Sequence, residues 1–137
     1  MKNIIIQGHP GTGSLVTGYA LVANDNFSAR YDLDRKIGIF SRPKHKLYKQ
    51  SFVDKILVLN VAKGGVATAW MFKTMIDNNM APKGLLLNTA NPIIAQGAVH
   101  ANLTLIDRFK KDITLLIKNN DRITLNPING TVEVHKD

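Results

Sequence analysis

Lys63-Gly64-Gly65 is the segment of this sequence best suited to hold a small anion. It follows an unbroken aliphatic run and precedes a helical pattern. In open α/β sheets ligands gather at the carboxyl ends of strands, where a helix N-terminus offers unpaired N–H groups and a positive dipole. Two glycines let backbone approach a ligand closely, and they equally well make a tight strand-to-helix turn that binds nothing. Thr68 lies one helical turn further on, where its hydroxyl faces the same ligand or bonds back to the preceding turn. Asn88, Asn91 and Gln96 flank the end of a second strand: turn formation is the expectation for Asn88, whereas Asn91 is open between a turn and a ligand contact. Residues 8–14 superficially look like a phosphate-binding loop, yet no lysine follows the last glycine and no long helix comes after it. His9, His45, His100 and His135 show no metal-ligand spacing, and no paired carboxylates accompany them. A nucleophile, a general base and an orienting group do not come together on this chain, which implies chemistry completed elsewhere.

The elements that must position Lys63 are legible in outline. Residues 55–61 form the continuous β-branched and aliphatic run of a strand buried on both faces. Over residues 66–79, Ala69, Phe72, Met75 and Ile76 recur at helical spacing, with Lys73 and Asp77 as an (i, i+4) charge pair. Residues 85–87 predict the next buried strand and 93–99 a short helix after Asn91-Pro92, giving a strand, loop, helix, strand unit. Before it, residues 4–6 and 16–22 read as strands in a hairpin-like arrangement around the glycine-rich loop. Asn24-Asp25-Asn26 reads as a turn, 37–40 as a further strand, and 41–46 as an exposed loop. Beyond it, 103–106 predicts a short strand, 112–118 a helical turn, and 122–125 a strand pairing with 131–134 across Asn129-Gly130. Trp70, beside Met71 and Phe72, reads as core packing or as part of a face that meets a subunit. The expected fold class is α/β: small β-sheets or a barrel-like β layer, a central βαβ unit and a C-terminal hairpin, in one domain over residues 1–137.

Composition narrows the function classes. Apolar residues make up 45% and charged residues 20% of the 137, the balance of a folded globular domain. The absence of cysteine excludes disulfides, thiolate zinc sites and an iron–sulfur cluster held by this chain alone. No apolar run reaches a membrane span or a signal peptide, so the cytoplasm is the expected compartment. The formal charge is +8, and 8 of the 18 basic residues lie between residues 30 and 55 (Arg30, Arg35, Lys36, Arg42, Lys44, Lys46, Lys49, Lys55). Such a field steers anionic substrates, an acidic partner or nucleic acid. Tyr31, Phe40, Tyr48 and Phe52 interleave with it, and the ordinary explanation is a solvated charged face over an apolar one.

Several motifs, in their order, resemble the small subunit, or swivel domain, of the aconitase X family. They are Gly11-Thr12-Gly13 leading into Gly18-Tyr19-Ala20-Leu21-Val22, His45-Lys46-Leu47-Tyr48 leading into 53–59, Lys63-Gly64-Gly65, Ala81-Pro82-Lys83-Gly84, 91–98, Asp121-Arg122-Ile123, and 130–134. The resemblance spans nearly the whole chain. It implies a β/β/α swivelling domain that closes the active site of a large subunit, as a heterodimer, with an iron–sulfur cluster or iron on that large subunit and no cofactor here. Such pairs are hydro-lyases, among them cis-3-hydroxy-L-proline dehydratases and the archaeal mevalonate 5-phosphate dehydratase, in which iron acts as Lewis acid on the departing hydroxyl. Carried onto this sequence, the resemblance implies substrate binding by Lys63, Gly64, Gly65 and Asn91. The family's loop commonly ends in a proton-abstracting serine where this chain has Gly65, so Thr68 or a large-subunit residue is the catalytic candidate. The alternative is a non-catalytic binding or regulatory module that keeps the swivel fold, and nucleic-acid binding ranks behind both.

Overall fold

A computed structural model describes residues 3–136. Its centre is a parallel ribbon made by β3 (Val16–Val22), β6 (Ile56–Val61), β7 (Gly84–Thr89) and β8 (Thr104–Asp107). α1 (Val66–Asp77) crosses between β6 and β7, and α2 (Pro92–Ala101) between β7 and β8. On the other side of β3 the ribbon continues antiparallel through β9 (Arg122–Asn126), β10 (Thr131–Val134) and β1 (Ile4–Gln7). β2 (His9–Thr12) pairs antiparallel with β8 at the far edge. The two edge strands, β1 and β2, are therefore joined through Gly8 alone, and the eight-stranded sheet curls into a barrel-like layer. Gly8 N–H to Gly130 O (2.7 Å) and Gly11 N–H to Pro127 O (2.8 Å) fasten the seam.

Alternation along the central strands sorts two cores. Leu57, Leu59, Leu85, Leu87 and Leu105 face α1 and α2, where Phe72, Met75, Ile94 and Ala98 bury against them together with Phe27, Phe40 and Phe52 from the long 23–55 segment. Ile56, Val58, Leu86 and Ile106 point the other way, into the barrel side lined by Ile123, Leu125, Val132 and Val134 and plugged by Ile113 of α3 (Ile113–Leu116). The Lys73–Asp77 pair forms at 2.8 Å.

The structure departs from the sequence expectations at several elements. The first two strands make no hairpin with each other: β1 pairs with β10, and the glycine-rich loop itself contributes β2. The 37–40 strand shrinks to β5 (Ile39–Phe40), paired with β4 (Leu33–Asp34). The C-terminal hairpin turns over four residues, 127–130, because Asn126 Oδ1 accepts the N–H groups of Ile128 and Asn129 and only Gly130 takes a positive φ (+71°). Trp70 is 69% exposed and not core.

Asn88 lies within β7 and makes no turn. Its amide donates to Asp112 Oδ1 (2.8 Å) and Asn60 Oδ1 (3.1 Å), and its oxygen accepts from Ile113 N–H (2.8 Å). Asp112 caps α3, accepting from Thr114 N–H and Oγ1. The Asn88 amide first, then Thr114, hold the Asp112 carboxyl below its ordinary 3.8. A depressed folded-state value stabilises above the unfolded pKa, and that contribution disappears as pH falls through the lower folded-state value. Asp112→Ala is expected to cost about 1–2 kcal/mol in denaturant unfolding at neutral pH, as loss of a helix cap does, with the difference from the parent shrinking in strong acid.

Candidate functional site

The strand expected to carry the site is β6, buried from Ile56 through Leu59. It is lengthened at its carboxyl end by the 23–55 segment. Phe27 N–H donates to Val61 O (2.9 Å), Lys63 N–H donates to Phe27 O (2.7 Å), and Phe27 bridges Ala62 in parallel. This clamp fixes the direction in which Lys63-Gly64-Gly65 leaves the sheet. Gly64 adopts φ +118°, and Gly65 is the N-cap of α1 with φ −127° and no side-chain cap. The first-turn amides of α1 therefore keep no side-chain acceptor. Lys63 and Gly64 are exposed.

Asn91 joins the loop from the end of β7. Its Oδ1 accepts from Ile94 N–H (2.8 Å) as the N-cap of α2, and its Nδ2 reaches Gly64 O at 3.4 Å. Thr68 is 2% exposed beneath the loop, so close that a Cβ at Gly64 would lie 2.2 Å from its Oγ1. The structure thus brings Lys63, Gly64, Gly65, Thr68 and Asn91 together at adjacent strand ends. Gln96 lies elsewhere, in a groove of about 350 Å³ between α1 and α2 that Trp70, Val66 and Ile93 also line.

On the other flank of Lys63 the structure assembles a polar cluster that the sequence does not disclose. Residues 41–46 form no uniformly exposed loop, because His45 is 3% exposed and stacks on Phe40 at 4.6 Å. Leu47 N–H donates to His45 Nδ1 (3.1 Å), which therefore carries a lone pair, so Nε2 holds the hydrogen and donates to Asn26 O (2.8 Å). Asp32, equally buried, accepts Ser28 N–H on one oxygen (2.9 Å) and Arg42 Nε on the other. Asp25 accepts from Asn26 N–H (2.8 Å) and Lys46 N–H (3.1 Å). Partial burial pushes the Asp25 carboxyl up, but the Lys46 and Asn26 N–H groups, with the neighbouring Arg42 guanidinium, outweigh it and hold the carboxyl below 3.8. The one available sequence signal was His45, which stands in a family-like motif.

Among the described residues no group of three His, Asp or Glu side chains is placed to hold a metal, and the chain has no cysteine, so these residues do not fit an iron centre. No helix among them is long and apolar enough to cross a membrane.

The chain, a curled sheet with two same-face crossovers and a glycine loop open at the strand ends, belongs to the aconitase X swivel domain family, whose pattern matches residues 5–134. Among its relatives is the phosphomevalonate dehydratase small subunit of Methanococcoides burtonii, 32% identical over 134 residues, with 98% of each chain covered. The protein of the same name from Methanocella arvoryzae is 28% identical over 129 residues, covering 94% of this chain and 98% of the relative. The fold is that of Thermococcus kodakaraensis aconitase X in its holo form, with a TM-score of 0.89 at 23% identity, over 97% of this chain and 99% of that one.

Proposed function

We propose that this chain is the small subunit of a hydro-lyase that removes water from a phosphorylated hydroxy acid, mevalonate 5-phosphate, in a pocket closed against a large subunit. The observation that carries the reading is the Lys63-Gly64-Gly65 loop at the carboxyl end of β6, exposed at Lys63 and Gly64, tied to Asn91 and starting α1 without a side-chain cap. The names borne by the relatives supply the substrate class. Net dehydration breaks a C–O bond, whose electron pair leaves with hydroxide, and a neighbouring C–H bond, whose pair becomes the new double bond. In this reading Lys63 and the loop amides hold an anionic end of the substrate. Thr68 is too deeply covered to present much surface, so the proton acceptor is assigned to the large subunit. An iron centre, required as Lewis acid if the family chemistry holds, belongs to the large subunit as well, since the residues here do not fit one.

Co-expression with the large subunit and an assay for dehydration, with mevalonate 5-phosphate and cis-3-hydroxyproline offered in parallel, tests the proposal. Lys63→Ala is expected to lower kcat/KM by about 10- to 100-fold, the loss of one charge-assisted contact of about 1.5–3 kcal/mol. Unchanged turnover in that variant would remove Lys63 from the site. The glycine at position 65 favours a second reading, a binding module without catalysis; absence of turnover with either substrate in a stable, iron-loaded pair would establish it in place of the enzyme.

A further inference from the structure

The cluster beside Lys63 borders a cavity of about 420 Å³ whose lining includes the carboxylates Asp25 and Asp32 as well as Asn26, Arg42, Lys63 and Gly64. Both buried carboxylate oxygens of Asp32 are occupied by Ser28 N–H and Arg42 Nε. Asp25 is engaged by two backbone amides and stands 3.9 Å from an outer nitrogen of Arg42. These acids therefore act chiefly on the backbone and on one edge of the guanidinium, and they fix it in place. A guanidinium has five N–H donors, and anchoring through Nε leaves most of them available on its outer edge. The Arg42 side chain is 37% exposed, and Lys63 has no carboxylate partner among the described residues. Asn26 Oδ1 is buried without a hydrogen-bond partner among those residues, an acceptor that a ligand hydroxyl would satisfy.

We infer that Arg42, locked by Asp32, and Lys63 form a phosphomonoester-binding subsite between the 23–55 segment and the β6–α1 loop. An ordered arginine loses little freedom on binding, and its free N–H donors with the Lys63 ammonium match the several acceptor oxygens of a phosphate better than the two of a carboxylate. Asp32 is a positioning residue: it acts through Arg42. This inference rests on the functional reading above for its substrate class, but its test does not require turnover.

The test uses the full isolated chain and inorganic phosphate as the probe, at fixed ionic strength, followed by amide and guanidinium NMR resonances. Saturable shifts at Arg42 Nε and at the Lys63 and Gly64 amides are expected, with affinity falling at least tenfold in Arg42→Lys and again in Lys63→Gln. Arg42→Lys keeps a cation beside Asp32, so it guards against misfolding caused by an unpaired buried carboxylate. Shifts that never saturate, or that neither variant weakens, overturn the subsite. Equal saturation by acetate overturns its preference for a dianion. If phosphate binds as described and the assembled pair never dehydrates mevalonate 5-phosphate, the functional reading fails and the subsite stands. If the pair turns over and phosphate does not perturb Arg42, the subsite alone fails.

Discussion

Gly64→Ala is expected to destabilise the chain by about 2–4 kcal/mol, whereas Gly65→Ser costs no more than about 0.5 kcal/mol, although the two glycines are adjacent. Gly64 sits at φ +118°, a conformation that strains any L side chain by about 1–3 kcal/mol. A Cβ there would also stand 2.2 Å from Thr68 Oγ1, which the packing beneath the loop cannot yield cheaply. At Gly65 a Cβ meets nothing within 4 Å, and φ −127° is ordinary for any residue. Serine there is also a favoured N-cap for α1, which offsets part of any cost. Urea unfolding of the two variants decides the matter; equal losses would show that the loop geometry is set by something other than Gly64. The backbone has room for a serine side chain at position 65, so the glycine there answers no steric conflict.

What the sequence disclosed, and what it concealed, follows from the range of the forces involved. The run at residues 55–61 announced β6 because a strand covered on both faces needs apolar side chains at every position, and Lys63-Gly64-Gly65 was legible because a strand end followed by helical spacing has few interpretations. Trp70 could have been placed by the same periodicity. Two residues before Phe72 is about 200° around a helix, so the spacing that buries Phe72 turns Trp70 outward. β2 could not have been read, since His9-Pro10-Gly11-Thr12 has no strand-forming pattern and is extended only because closure of the sheet lays it beside β8. The Asp25, Asp32, Arg42 and His45 cluster was hidden for a related reason. Its members are polar residues spread through an irregular segment, and in sequence they are indistinguishable from a solvated charged loop. Only the tertiary fold exchanges their water for one another, with Phe40 and Phe52 beneath them.

Phe27 is where that hidden segment is joined to the legible strand, and its truncation is the second large effect expected. Its ring is fully buried and lies stacked with Phe72 of α1 at 6.2 Å and 14°, while its backbone bonds both Val61 and Lys63. Phe27→Ala should cost about 3–5 kcal/mol, the range for emptying a buried aromatic site, and Phe27→Leu less than about 1.5 kcal/mol if the core repacks. Stability alone would not separate a role in the core from a role in the site, so the informative measurement is amide hydrogen exchange. The Lys63 N–H is held by Phe27 O, and loosening of the clamp should accelerate its exchange in Phe27→Ala beyond what the global loss predicts, with Phe27→Leu restoring most of the protection. Exchange at Lys63 that tracks global unfolding in both variants would show that β6 positions the loop by itself. Faster local exchange would instead make the 23–55 segment a working part of the site, because the same backbone that seats Lys63 also carries Asn26, Asp32 and Arg42 into the cavity beside it.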